Sequence, residues 1–148
     1  MRSAVVCACL LAGFFMSIEL MQAQTVASSS SVAALLKASR WQKRVLLLYA
    51  PTATHPALQQ QRELLRDVAP ELKARQLLVR ELIGSELSTD DARCLTTQLK
   101  VASGGFTVLL IGKDGGVKRR STRPLAPGSL FSTIDAMPMR QQEMRRQL

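Results

Sequence analysis

The sequence predicts an α/β domain built on one central mixed sheet of four strands, and three stretches carry that prediction. Residues 44–50 (RVLLLYA) form an unbroken apolar run closed by Pro51, the pattern of a central parallel strand covered on both faces. Residues 106–122 (FTVLLIGKDGGVKRRST) read as a hairpin. Phe106 to Ile111 is one strand, Lys113-Asp114-Gly115-Gly116 supplies the positive-φ positions of a tight turn, and Val117 to Thr122 returns as a charged edge. Between these two stretches, helical and strand patterns alternate, which implies right-handed crossover connections.

Taken in order, Gln24 to Ser31 is a small, serine-rich linker, and Val32 to Ser39 is a short helix capped by Ser31 that buries Val32, Leu35 and Leu36. Trp41, the one tryptophan, is expected to anchor this segment to the core. After the first strand, Pro51 to Pro56 is a loop. A helical pattern starts at Ala57 with Leu58, Leu65, Val68 and Leu72 on one side, and Pro70 is expected to kink or end it near Ala69. Gln76 to Ile83 is a second strand, closed by Gly84. Ser88 and Asp91 mark the start of a second helix, with Ala92, Leu95 and Leu99 at helical spacing. Gly104-Gly105 breaks that pattern before the hairpin. Pro127-Gly128-Ser129 opens a third helix through Leu130, Phe131 and Ile134, which Pro138 interrupts before a basic amphipathic tail. The order βαβαββα, with helices on both faces of the sheet, is the thioredoxin fold.

At 148 residues there is room for one domain with a real core, and 47% apolar content argues against disorder. Only 4% of residues are aromatic, so aliphatic side chains must fill the interior. Residues 1–23 read as a secretory signal peptide: a basic start at Arg2, an apolar run from Ala4 to Met16, and small residues at Ala23 and Ala27, either of which suits cleavage. The run is short for a membrane span, and no transmembrane segment is expected after processing. The domain proper is then 32–148, in the periplasm or outside the cell. Cys7 and Cys9 leave with the signal, so Cys94 stands alone and no internal disulfide can form. Arg2 and Glu19 also leave together, which keeps the net charge at +9. Such a charge favours anionic surfaces, and export makes nucleic acid the least suited of them. An anionic polymer, an envelope surface or an acidic protein remain as partner classes.

Residues 41–50 (WQKRVLLLYA), 110–118 (LIGKDGGVK) and 134–140 (IDAMPMR) resemble a bacterial domain, the domain of unknown function numbered 4174. Similar domains occur in vertebrate extracellular matrix proteins, the sushi-repeat-containing proteins and the coiled-coil-domain-containing matrix protein. The resemblance spans nearly the whole chain after the signal. It implies a thioredoxin-like fold and life outside the cytoplasm, and it brings no activity or catalytic residues with it.

In thioredoxin-like enzymes the reactive thiol follows the first central strand at a helix N-terminus, where free N–H groups stabilise the thiolate. Here that place is the loop Thr52, Ala53, Thr54, His55, Pro56. With Tyr49-Ala50 as the strand end, Ala53 and Pro56 take the two thiol positions of a Cys-x-x-Cys, and neither is a nucleophile. Where thioredoxins place a cis-proline before the third strand, Gly105-Phe106-Thr107 stands instead. Both departures predict the fold without the redox function, and hence a module with no catalytic residues and no cofactor.

Four other features bear on function. Cys94 is the remaining thiol, about 100° around the predicted helix from the Ala92–Leu95–Leu99 stripe, and a thiol redox or peroxide-handling enzyme using it is the alternative reading. His55, the one histidine, lacks a group to orient it as a base, and a single histidine among scattered carboxylates shows no metal-ligand spacing. Lys113, Lys118, Arg119, Arg120 and Arg123 fall within eleven residues opposed only by Asp114, and with Arg140 they are the candidate binding surface. The same cations on an edge strand also block edge-to-edge aggregation, so both readings stand. In residues 134–140, Pro138 can restart a helix, Asp135 can cap it or pair with Arg140, and Met137 and Met139 can fill the core or form a soft ledge. Two methionines without more sulfur or imidazole do not make a copper site.

Overall fold

A computed structural model describes residues 31–147; the signal peptide expected over 1–23 and the linker as far as residue 30 lie outside that range. Strands β1 (Arg44–Ala50), β2 (Leu77–Ile83), β3 (Thr107–Ile111) and β4 (Val117–Ser121) form one sheet in the order β2-β1-β3-β4. β1 runs parallel to β2 and antiparallel to β3, and β3 pairs antiparallel with β4, so the sheet is mixed. The helices are α1 (Val32–Ser39), α2 (Pro56–Arg66), α3 (Ala69–Ala74), α4 (Thr89–Arg93), α5 (Pro127–Asp135) and α6 (Pro138–Arg146).

Every residue of β1 and β3 is buried, which is why both read as continuous apolar runs rather than alternating ones. Alternate side chains divide between two cores. Leu46, Leu48, Ala50, Val108 and Leu110 meet α2 and α5 through Leu58, Leu65, Leu130 and Ile134. Val45, Leu47, Tyr49, Leu109 and Ile111 meet α1 and the segment after α4 through Val32, Cys94, Leu95 and Leu99. Gln61, fully buried, ties α2 to the chain before α5: its Nε2 donates to Leu125 O at 3.1 Å and its Oε1 accepts from Leu125 N at 2.7 Å. Both peptide groups of Leu125 are thereby satisfied inside the core.

Local signals set most boundaries. Ser31 Oγ accepts from Ala34 N at the start of α1, and Ser88 Oγ from Asp91 N at the start of α4. Pro56, Pro127 and Pro138 each occupy the first helical turn, where a missing N–H costs nothing. Pro70 does the same for α3, so the break after α2 falls earlier than Ala69, and Asp67 and Val68 are the residues between the helices. In the hairpin turn Gly115 adopts φ +83°, and Asp114 Oδ1 accepts from Gly116 N at 3.1 Å.

Two expectations are overturned. Trp41 does not anchor α1 to the core; it is 62% exposed. The chain reverses from α1 into β1 with Trp41 in the left-handed region at φ 65°, its N–H donating to Lys113 O at 2.6 Å, and that turn swings the indole outward beside Arg40. The second helix is also not a continuous α-helix. A turn of π-helix, Cys94–Gln98, follows α4, with Leu99 N donating to Cys94 O at 3.2 Å. The hydroxyl of Thr97 occupies Arg93 O and that of Thr96 is shared between Ala92 O and Arg93 O. The wider turn rotates Cys94 inward beside Leu95 and leaves Ala92 exposed.

Candidate functional site

The loop between β1 and α2 is fastened from both sides. Ala53 O accepts from Gln59 Nε2 at 2.8 Å and from Arg62 Nη1 at 3.2 Å. Arg62 is itself held by Glu81 on β2 through Nε–Oε1 at 2.9 Å and Nη2–Oε2 at 2.6 Å, a bidentate pair that raises the guanidinium pKa further. Ala53 packs against the core and Pro56 opens α2, so the two residues expected at the thiol positions carry a methyl group and a ring. Thr52 and Thr54 are exposed with their hydroxyls 3.5 Å apart. His55 precedes α2 without a side-chain capping bond, and its ring stacks on Phe106, centroids 6.1 Å apart and planes 17° apart. Its Nδ1 is buried without a hydrogen-bond partner, so no carboxylate or hydroxyl among the described residues orients the imidazole through that nitrogen as a base would require. The loop is tied to α2 and, through Arg62, to β2, and Thr52 to Pro56 include no thiol.

Cys94 lies on the opposite face of the sheet from Ala53 and is buried. Burial raises the pKa of its thiol and the charge of Asp91 adds to the rise, so the thiolate that redox chemistry needs is disfavoured. Its Sγ donates to the Gln98 side chain, 3.6 Å from Oε1.

The basic residues predicted to form a single surface divide into three groups. Lys113 and Arg140 are 8% and 7% exposed and belong to the interior. Arg119 is half-buried on the α5 side of β4, where its Nη1 donates to Ser129 O, Ser129 Oγ and Thr133 Oγ1 at 2.8–3.0 Å. Lys118, Arg120 and Arg123 are exposed. Lys118 Nζ pairs with Asp114 Oδ2 at 2.5 Å, and the carboxyl pKa of Asp114 is lowered by that bond and by the Gly116 N–H. Arg120 donates to two neutral acceptors, Leu99 O at 2.5 Å and Lys100 O at 2.9 Å, so its charge is not cancelled. Among the described residues no carboxylate lies within ion-pair distance of Arg119, Arg120 or Arg123.

The interior group is a network that single-residue reading missed. Glu143 on α6 accepts from Arg44 at 3.2 Å and pairs with Lys113 Nζ at 2.7 Å. Asp135 at the end of α5 takes Arg75 through Oδ2 at 2.6 Å and Arg140 through Oδ1 at 3.2 Å. Arg75 also lies over the Phe131 ring at 4.3 Å, and the Lys113 amino group reaches Gln76 Oε1. Asp135 thus pairs with Arg140, one of the two roles foreseen for it, and does not cap α6. Burial pushes both carboxyls up, but the cations outweigh it and hold Asp135 and Glu143 below the usual carboxylate range. The available signal was Arg44 at the head of an apolar run: a guanidinium there must be met by an anion from elsewhere in the chain.

A family model described as "Domain of unknown function (DUF4174)" matches residues 35–143. The chain is similar to coiled-coil domain-containing protein 80 of Danio rerio, 28% identical over 129 residues, covering 71% of this chain and 15% of that protein. It is also similar to sushi repeat-containing protein SRPX of Rattus norvegicus, 28% identical over 125 residues, covering 77% of this chain and 27% of that protein. The chain therefore spans less than a third of either relative's length. Among solved structures, the reduced 2-Cys peroxiredoxin of Plasmodium vivax superposes with a TM-score of 0.55 at 12% identity, covering 74% of this chain and 84% of that one. That likeness shows the thioredoxin-like fold and nothing finer.

Proposed function

The chain belongs to the DUF4174 family, and from that premise we propose that it is an exported, non-catalytic thioredoxin-like module that binds an anionic surface or an acidic protein partner. One observation carries the binding reading. β4 is the outermost strand of the sheet among the described residues, and on and just after it Arg120 and Arg123 are exposed with their charges unpaired by any described carboxylate. Blocking edge pairing would need charge on the edge but not its persistence into the following loop at Arg123. The non-catalytic part is supported by Ala53 and Pro56 at the thiol positions and by the ties that Gln59 and Arg62 place on the loop. Export rests on the sequence of residues 1–23.

The test is retention on a polyanion matrix at increasing salt, comparing the wild-type chain with an Arg120→Gln, Arg123→Gln double variant. Arg119 is left in place because it fastens β4 to α5. The expected result is salt-sensitive retention in the wild type that is largely lost in the variant. Equal retention of both would sink this surface. Turnover of peroxide or disulfide substrates that disappears in Cys94→Ala would instead favour the thiol enzyme.

A further inference from the structure

We propose that the hollow between the β3–β4 turn and the start of α6 binds a small oxyanion carried on an apolar group. The cavity is about 310 Å³, at the small end of ligand sites, and its walls differ in character. Met137, Pro138 and Met139 form an apolar wall, and thioethers adapt their shape to a ligand. Lys113 and Lys118 stand on the hairpin side, together with Asp114, which is already engaged by Lys118. Arg44 contributes to the wall between them.

Three independent features favour an anion there. The first is α6 itself, nine residues long, with no side-chain cap and no acidic residue in its first turn. Gln141 N is the first amide that finds a carbonyl, Met137 O at 3.0 Å, so the N–H groups of Met139 and Arg140 precede the helix hydrogen-bond ladder at its positive end. The second is Arg44, 1% exposed, whose Nη atoms are satisfied by Arg75 O and Glu143 while its Nε is buried with no partner among the described residues. A buried guanidinium N–H without an acceptor is costly, and a modest shift toward a bound anion would relieve it. The third is charge. Arg44, Arg75, Lys113 and Arg140 are four linked cations balanced by only Asp135 and Glu143, and beside them Lys118 pairs with Asp114. Lys118 of β4 lines the hollow, but the site is distinct from the Arg120 and Arg123 surface, because Arg120 donates to carbonyls at residues 99 and 100 and neither it nor Arg123 lines the hollow.

The experiment is a titration of the full exported chain, followed by the amide resonances of Gly112 and Met139. Four probes are used: hexanoate, hexyl phosphate, hexanol and inorganic phosphate. The expected result is a saturable shift with hexanoate or hexyl phosphate at least about tenfold tighter than with hexanol, the weight of one charge-assisted hydrogen bond. Whichever amphiphile binds more tightly identifies the headgroup as carboxylate or phosphate. Lys118→Gln should weaken binding about five- to tenfold by removing one cation and uncovering Asp114. Met139→Asp places a carboxylate in the first turn of α6, where it suits the helix, and should abolish binding with the thermal transition preserved. Equal affinity for hexanol, inorganic phosphate binding as well as hexyl phosphate, no saturable shift with either amphiphile, or unchanged binding by folded Met139→Asp would each overturn the proposal.

Discussion

Glu143 stands between two buried cations, with Arg44 Nη2 at 3.2 Å and Lys113 Nζ at 2.7 Å from the same oxygen, Oε1. These three residues come from β1, the hairpin turn and α6, so one carboxylate fastens the last helix to the sheet. Replacing it with alanine leaves two almost fully buried cations without their anion. Glu143→Ala is expected to cost about 3–5 kcal/mol, the range for breaking a buried pair from one side. Urea unfolding measures it, and a loss below about 1 kcal/mol would show that Arg44 and Lys113 find other partners.

Acid should loosen the same region first. Asp135 and Glu143 both ionise more readily in the folded chain than their types ordinarily do, because Arg75, Arg140, Arg44 and Lys113 outweigh the effect of burial. A carboxyl whose folded pKa is depressed stabilises the fold fully above the unfolded value of about 4. That contribution is lost as the pH falls through the lower, folded value. Stability is therefore expected to hold from neutral pH down to about 5 and to fall steeply below about 4. The Asp135→Asn, Glu143→Gln double variant should start lower at neutral pH and show a shallower acid limb. Parallel curves for the two proteins would contradict this assignment.

Cys94 should be silent until the chain opens. Its thiol is buried on the α1 side of the sheet and its pKa is raised, so a thiol reagent is expected to react only as denaturant exposes it. Cys94→Ala should cost about 1 kcal/mol through lost packing. Rapid stoichiometric labelling of the native chain would revive a thiol function.

The fold was legible because its strands announce themselves. β1 and β3 are apolar throughout since both faces are covered, and the Asp-Gly-Gly turn between β3 and β4 has few alternatives. That Ala53 and Pro56 carry no thiol is plain from residue type alone, whatever the tertiary structure. The basic surface was legible only in part. A run of cations gives charge, but which of them meets a carboxylate depends on chain crossings. Arg140 finds Asp135 five residues away, whereas Lys113 finds Glu143 thirty residues later. The π turn escaped because helical spacing at 92, 95 and 99 assumes the regular period that Thr96 and Thr97 disturb. Trp41 escaped because its backbone takes the left-handed region, which residue type does not foretell for a bulky side chain.

That outward indole changes how this protein can be observed. Because the chain has one tryptophan, exposed in the native state beside Arg40 and joined through its backbone N–H to Lys113, its emission is expected to resemble that of the unfolded chain from the start. Fluorescence would follow denaturation poorly and could pass a folded sample as a damaged one. The same probe sits where the hairpin turn meets the solvent, so a change in its colour or quenching would report an arriving partner instead.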